Sequence, residues 1–156
     1  MKLKSKFKFN LAKFIFCIII TESAGILGSF STVSSVKSWY PLLNKPSFNP
    51  PSWLFAPVWT ILFFLMGVAL YLIWSKKNKI TWFWIQLVLN ILWSILFFGL
   101  HLPWFAFIEI IILWFAIVKA IIEAYSFNKK AGILLLPYLA WVSFAAFLNF
   151  SIARLN

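Results

Sequence analysis

The chain has 156 residues, of which 63% are hydrophobic and 11% are charged. Soluble domains carry about 25% charged residues, so this composition excludes an ordinary soluble fold and indicates an integral membrane protein. The formal charge of +11 does not indicate a nucleic-acid partner, because the basic residues lie at the chain start and in short segments between apolar runs. A single cysteine and a single histidine exclude an internal disulfide and argue against a metal site.

Five apolar runs follow one another, each near the roughly 20 residues that a helix needs to cross a bilayer. They are too continuous for the alternating pattern of barrel strands. We therefore predict one domain over the whole chain, an all-α integral membrane protein with a bundle of five transmembrane helices. The predicted spans are residues 11–30, 53–74, 82–99, 104–125 and 131–152. The first is predicted to be retained, because Glu22 would fall where signal-peptide cleavage needs a small neutral residue.

The connectors between the later spans are short, so sequential helices are expected to be antiparallel neighbours. The segment 31–52 is the one connector long enough to cover the mouth of the bundle. Pro46, Pro50 and Pro51 stiffen its second half, because proline fixes its own backbone and restricts the residue before it. We expect a rigid aromatic lid over a hydrophobic pocket. An aromatic anchor at the membrane interface is the alternative.

Lysines are distributed unequally between the two ends of the predicted bundle. The opposite end from the long loop holds Lys2, Lys4, Lys6, Lys8, Lys13, Lys76, Lys77, Lys79, Lys129 and Lys130. The loop end holds Lys37, Lys45 and Arg154. The positive-inside rule therefore predicts a cytoplasmic N-terminus. We expect the membrane to be a bacterial cell membrane. Lys119 lies inside the fourth span, where we expect it to snorkel and to pair with Glu123 one turn on.

Three predicted spans carry aromatic or amide side chains at helical spacing, so that each set shares one face. The sets are Trp59, Phe63 and Met66; Gln86, Asn90, Trp93 and Phe97; and Tyr138, Trp141, Ala145 and Leu148. An amide in hydrocarbon costs free energy unless it is bonded, so these faces are expected to look into the bundle. Together they would line a flat apolar cavity. Helix packing around bonded amides is the alternative.

Two carboxyl groups lie inside predicted spans, Glu22 in the first and Glu109 in the fourth. An intramembrane carboxyl is a functional candidate, or else a protonated or amide-paired group that fixes packing. His101 either ligates a haem iron or is an ordinary histidine of a surface loop. A ridge of small residues in the fourth span suits a neighbouring helix or a second protomer. It consists of Ala116, Ala120 and Ala124.

Several sequence blocks follow one another in a characteristic order. They are Trp39-Tyr40, Lys45-Pro46, Asn49-Pro50-Pro51, Trp53, Pro57-Val58-Trp59-Thr60, Met66-Gly67, Gln86-Leu87, Asn90, Trp93, Phe97-Phe98, Pro137-Tyr138-Leu139-Ala140-Trp141, Phe144-Ala145 and Leu148-Asn149. In order and spacing, from Glu22 to the C-terminus, they resemble the TspO/MBR family of tryptophan-rich sensory proteins and translocator proteins, the latter also called peripheral benzodiazepine receptors. One departure is Phe63, where many members carry tyrosine, so that a hydroxyl contact to ligand is missing.

The resemblance implies a five-helix bundle, often a homodimer in the lipid bilayer, with a pocket under the first loop. It implies binding of porphyrins such as protoporphyrin IX or haem, or of other apolar small molecules, with no obligatory cofactor. Trp59 and Trp141 match tryptophans implicated in light-dependent porphyrin degradation, which would tie the protein to stress-linked tetrapyrrole regulation. The alternative is a transporter or ligand sensor without catalysis. The expected ligand-binding residues are Phe48, Trp53, Trp59, Phe63, Asn90, Trp93, Trp141, Ala145 and Leu148.

Overall fold

A computed structural model describes residues 9–75 and 78–156. The helices are α1 (Leu11–Ser38), α2 (Phe55–Ile73), α3 (Thr81–Ser94), α4 (Pro103–Phe127), α5 (Lys129–Leu134) and α6 (Leu136–Leu155). Ile95–Gly99 continues α3 as a π-helical turn, and short 3-10 turns lie at Tyr40–Leu42 and Ser52–Leu54. Within the described residues, five helical segments are long and apolar enough to cross a membrane, with α5 and α6 together forming the fifth. This confirms the predicted all-α, five-span architecture.

The helices form a closed ring. α1 packs against α2 and α3, and α4 packs against α3 and α6. α2 packs against α5, the short first segment of the fifth span, and diverges from α6. A space is therefore left between α2 and α6 toward the end of the bundle that carries the first loop.

α1 runs to Ser38, well beyond the predicted end at residue 30. Its polar residues stay helical because their hydroxyls bond back to the preceding turn. Ser29 Oγ donates to the Ile26 carbonyl at 2.7 Å, and Thr32 Oγ1 donates to the Gly28 carbonyl at 3.1 Å. The predicted loop 31–52 is therefore shorter, covering the residues between Ser38 and the turn that begins at Ser52.

Two glycines set the path of α1 across the bundle. A Cβ atom on Gly67 of α2 would lie 2.6 Å from Ile18 Cδ1 and 2.9 Å from Ile18 Cα. Nearer the loop, a Cβ atom on Gly28 of α1 would lie 3.0 Å from Ser94 Oγ on α3. α1 thus touches α2 most closely away from the loop and leans onto α3 toward it.

The ridge of small residues on α4 faces the interior of the protomer. Ala116, Ala120 and Ala124 are each at most 2% exposed, and α4 packs against α3 and α6. The ridge therefore serves a neighbouring helix, which was one of the two predicted uses. The homodimer remains a prediction that follows from the resemblance.

The orientation in the membrane also remains a prediction. Lys13, Lys79, Lys129 and Lys130 lie at the end of the bundle opposite the first loop, as the topology requires. The remaining lysines of that set lie outside the described residues, namely Lys2, Lys4, Lys6, Lys8, Lys76 and Lys77.

The N-terminus of α3 is capped by a side chain from α4. The Glu123 carboxylate accepts hydrogen bonds from the backbone N–H groups of Thr81 and Trp82, both at 3.0 Å, and of Phe83 at 3.3 Å. These amides have no partner within their own helix. The predicted pair between Lys119 and Glu123 is wrong for the chain as described, because the carboxylate binds the positive end of the α3 dipole instead.

We expect Glu123→Ala to lower the free energy of unfolding by about 1 kcal/mol, the usual value of an N-cap. The physical reason is that the three backbone amides at the N-terminus of α3 lose their acceptor. The apparent melting temperature of the purified protein in detergent measures the effect. Lys119→Ala is the matched control and should leave the melting temperature unchanged. Equal losses in both variants would mean that the two side chains act as an ion pair.

Candidate functional site

A cavity of about 450 Å³ lies in the loop half of the bundle, between α1, α2, α3 and α6. Its volume is within the range of small-molecule sites, about 300–1,000 Å³. Most of the residues predicted to bind ligand lie on its wall. These are Trp59, Phe63, Asn90, Trp93, Trp141, Ala145 and Leu148. The predicted helix faces thus meet around one space, while their role in binding stays a prediction.

Phe48 and Trp53 lie elsewhere in the structure. The Phe48 ring stacks on Phe147 at 5.1 Å and contacts Phe144 at 6.4 Å, so it fastens the loop to α6. Trp53 is 71% exposed at the start of the second span, as an interfacial tryptophan would be. The sequence did not separate these two from the cavity residues because a loop lacks the periodicity that assigns a side to each residue.

Trp59 lies at the centre of the aromatic wall. Its ring centroid is 6.4 Å from that of Trp93 and 5.7 Å from that of Phe63, with interplanar angles of 33° and 30°. Tyr138 meets it edge-on at 6.2 Å. Rings in these tilted and edge-on arrangements attract one another beyond their buried area, so the wall is stiff.

Trp93 is held in place by a buried amide. Its indole Nε1 donates to Asn149 Oδ1 at 3.0 Å, and Asn149 Nδ2 donates in turn to the Pro103 carbonyl at 2.8 Å. This chain of bonds joins α3, α6 and the start of α4. It fixes the rotamer of Trp93 before any ligand enters.

Trp141 differs from Trp93 in one respect. Its indole Nε1 is buried and has no hydrogen-bond partner among the described residues. An unpaired buried donor costs about 1–3 kcal/mol. Because the Trp141 side chain lines the cavity, this unpaired donor belongs to a residue of the cavity wall.

α1 forms one side of the cavity, and none of the predicted ligand-binding residues lies on this helix. Gly25, Gly28, Thr32 and Val36 all line the cavity. They follow helical spacing and are small, which is a signal that could have identified the face. Glu22, the carboxyl noted in the first span, lines the cavity as well.

The two lysines of the loop end have different environments. Lys37 is exposed and lines the cavity. Lys45 Nζ donates to the carbonyls of Tyr40 at 2.9 Å, Pro41 at 3.1 Å and Leu43 at 2.8 Å. Lys45 therefore shapes the loop, whereas Lys37 is available to a bound acid.

The loop is fastened at its start and near its middle. Trp39 stacks on His101 at 4.2 Å, and His101 Nε2 lies 3.1 Å from Ser35 Oγ. Near the middle, Asn44 N donates to Asn156 Oδ1 at 2.9 Å, and Asn156 Nδ2 donates to the Asn44 carbonyl at 3.0 Å. The loop is thus closed over the bundle. His101 serves this closure, which fits a loop histidine rather than a haem ligand.

Tyr40 is buried beneath the loop, with 2% of its surface exposed. Its hydroxyl donates to Asn49 Oδ1 at 2.5 Å. Burial raises the pKa of Tyr40 to about 12, although the hydrogen bond with Asn49 acts in the opposite direction. The closed loop therefore requires the neutral phenol.

Comparison with known proteins identifies relatives along most of the chain. The profile of the TspO/MBR family matches residues 17–155. A protein named Tryptophan-rich protein TspO from Archaeoglobus fulgidus is 46% identical over 94% of this chain and 99% of its own length. One of the same name from Chlorobaculum tepidum is 45% identical over 90% and 93%. The human protein named Translocator protein is 34% identical over 76% and 75%.

We expect alkaline pH to loosen the closed loop through Tyr40. The pKa of Tyr40 in the folded protein lies above its unfolded value of about 10. The contribution of Tyr40 to the free energy of unfolding is therefore complete below about pH 10 and is lost as the pH rises toward about 12. The apparent melting temperature should therefore fall more steeply over this window in wild type than in Tyr40→Phe. Tyr125→Phe, which changes an exposed tyrosine, should follow wild type. The same profile in wild type and Tyr40→Phe would contradict the assignment.

Proposed function

The chain belongs to the TspO/MBR family, and from that premise we propose that its cavity binds porphyrins such as protoporphyrin IX or haem, and other flat apolar ligands. The observation that carries the proposal is the meeting of Trp59, Trp93 and Trp141 around one cavity under a closed loop. The protein is an integral, multi-pass membrane protein, so ligands that partition into lipid reach it at high local concentration.

The aromatic wall supports a planar ligand. The ring centroids of Trp59 and Trp93 lie 6.4 Å apart and the ring planes are tilted by 33°, so a flat ring can stack on one indole and meet the other at an angle. Ala145 and Leu148 on α6 also line the cavity and present apolar surface to a ligand. A porphyrin macrocycle is both large and flat, and such a wall would bury most of its surface.

The polar groups of the cavity support an acidic ligand that carries hydrogen-bond acceptors. Lys37 lies at the loop end, where the propionate groups of a porphyrin would remain close to water. The free N–H of Trp141 would donate to an acceptor deeper in the cavity. A few such groups fix the orientation of a ligand whose affinity comes mainly from apolar contact.

Binding is tested by titrating the purified protein with protoporphyrin IX and following tryptophan fluorescence. We expect saturable quenching, and we expect Trp141→Phe to weaken binding about tenfold, since the variant loses a hydrogen bond and part of the ring surface. Trp82→Phe, which changes a tryptophan outside the cavity, should bind as wild type does. Lack of saturable quenching in wild type would remove the proposed function.

The dimethyl ester of protoporphyrin IX provides a further control, which tests the role of Lys37. Lys37→Gln should weaken binding of protoporphyrin IX but not of its dimethyl ester, which has no carboxylate. Equal weakening of both ligands would mean that Lys37 acts through the loop. Flux of porphyrin into proteoliposomes would show transport, and binding without flux or turnover would favour a ligand sensor.

Trp59 and Trp141 both lie on the cavity wall, which favours photochemistry as a second candidate function. An indole beside a photoexcited porphyrin can transfer one electron to it, leaving an indole radical cation and a porphyrin radical anion. Dioxygen would then add to the radical anion, and the adduct would return one electron to the indole radical cation, which restores tryptophan. The neutral dioxetane that remains would break its O–O bond and the ring C–C bond to give two carbonyl groups, so that both oxygen atoms stay in the product. This activity would come in addition to binding.

Illumination of the protein with bound protoporphyrin IX in air tests this second function. We expect the porphyrin absorption bands to decay more slowly in Trp59→Phe and Trp141→Phe than in wild type, because the nearest electron donors are removed. Samples kept dark or free of oxygen should not decay. Equal decay in wild type and both variants would remove the catalytic role and leave binding intact.

A further inference from the structure

Glu109 lies in the interior of the bundle, outside the cavity wall. It is 5% exposed, on the face of α4 that also carries the buried side chains of Ala106, Ile110 and Leu113. Neither carboxyl oxygen has a hydrogen-bond partner among the described residues. The group is thus a carboxyl at membrane depth, surrounded on its own helix by apolar side chains.

The helices that pack against α4 bring no positive charge close to Glu109. α3 and its π-helical turn carry no titratable side chain, and α2 carries Tyr71, at the end of the bundle away from the loop. On α4 itself, Lys119 lies about 15 Å farther along the helix. The fifth span carries Lys129, Lys130, Tyr138 and Arg154. Of these, Tyr138 is the group that interacts electrostatically with Glu109, and the other three are exposed.

An ionised carboxylate in such surroundings would lack both hydrogen-bond donors and a counter-ion. Removing a charge from water without either is strongly unfavourable, and in a bilayer no bulk water compensates for it. The neutral, protonated carboxyl is therefore the form that the dry bundle accommodates. Ionisation requires that water comes closer to the group.

Tyr138 connects Glu109 with the cavity. The Tyr138 hydroxyl accepts a hydrogen bond from Asn90 Nδ2 at 2.9 Å, and the Tyr138 ring meets Trp59 edge-on at 6.2 Å. Asn90 and Trp59 both line the cavity. Tyr138 thus interacts electrostatically with Glu109 and also contacts two residues of the cavity wall, so the contents of the cavity affect the polarity around a group that Glu109 senses.

We propose that Glu109 is a proton-binding site inside the bundle, and that its protonation is coupled to occupancy of the cavity. An apolar ligand expels water from the cavity, lowers the local dielectric constant and favours the neutral carboxyl. Ligand binding to the ionised form therefore takes up one proton from solvent, which converts the carboxylate to the carboxyl. By reciprocity, proton loss weakens ligand binding. The coupling rests on the proposed function, because it needs a ligand in the cavity.

The protonated carboxyl can be observed directly by infrared spectroscopy of the full chain in micelles of a glycoside detergent, which has no carbonyl group. The chain has only three acidic side chains, Glu22, Glu109 and Glu123. Glu123 accepts hydrogen bonds from backbone amides at the N-terminus of α3, so the variants that matter are those of Glu22 and Glu109. We expect a carbonyl band that persists in Glu22→Gln and disappears in Glu109→Gln. Absence of such a band in Glu22→Gln would overturn the proposal, even if Glu109→Gln does not fold.

The coupling is measured with protoporphyrin IX dimethyl ester, since its lack of carboxylates removes the titration of ligand propionates. We expect its dissociation constant for wild type to rise about tenfold between about pH 6 and about pH 9, a usual size for coupling between two sites. Glu109→Gln mimics the neutral carboxyl and should bind with little dependence on pH. Glu22→Gln, which changes the carboxyl on the cavity wall, should retain the dependence.

The outcomes separate the two proposals. Binding of the ester with the same pH profile in wild type and Glu109→Gln would overturn the coupling and leave the proposed function intact. Loss of the pH dependence in Glu22→Gln instead would overturn it in favour of the carboxyl on the cavity wall. Lack of saturable binding by wild type at every pH would remove the proposed function and the coupling with it.

Discussion

Inside a bilayer no water is available to polar groups, so each one has to find its partner within the chain. Much of this structure follows from that constraint. The hydroxyls of α1 bond to carbonyls of the preceding turn, and the N-terminus of α3 receives the Glu123 carboxylate from a neighbouring helix. Asn149 bonds at once to the indole of Trp93 and to the backbone of Pro103. Such bonds join helices that apolar contact alone would leave free to slide.

The places where the constraint is not met are therefore informative. Three buried side chains keep at least one polar atom without a partner among the described residues, namely Trp141, Glu109 and Gln86. The first is a donor on a residue of the cavity wall, and the second is a group that can carry a proton. The proposed ligand and the proposed exchangeable proton would account for the Trp141 donor and the Glu109 carboxyl, whereas Gln86 Oε1 is unpaired as well.

The sequence was sufficient for the features that depend on periodicity and hydropathy. Five spans, their order and the inward faces with Asn90, Trp93 and Trp141 were predicted, because helical spacing assigns a side to every residue. Features that depend on tertiary partners were not. α1 extends to Ser38 because its hydroxyls bond locally, and Phe48 lies on α6 because Phe147 presents a ring there. Glu123 binds amides that lie about 40 residues earlier in the chain, which no local pattern indicates.

The hydrogen bonds between Asn44 and Asn156 have a consequence for biosynthesis. The loop follows the first helix, yet its fastening bonds need an amide from the extreme end of the fifth span. Because a chain emerges from the ribosome N-terminal part first, the early helices can insert while this amide is still unmade. The loop can therefore be fastened by these bonds only after Asn156 has been synthesised.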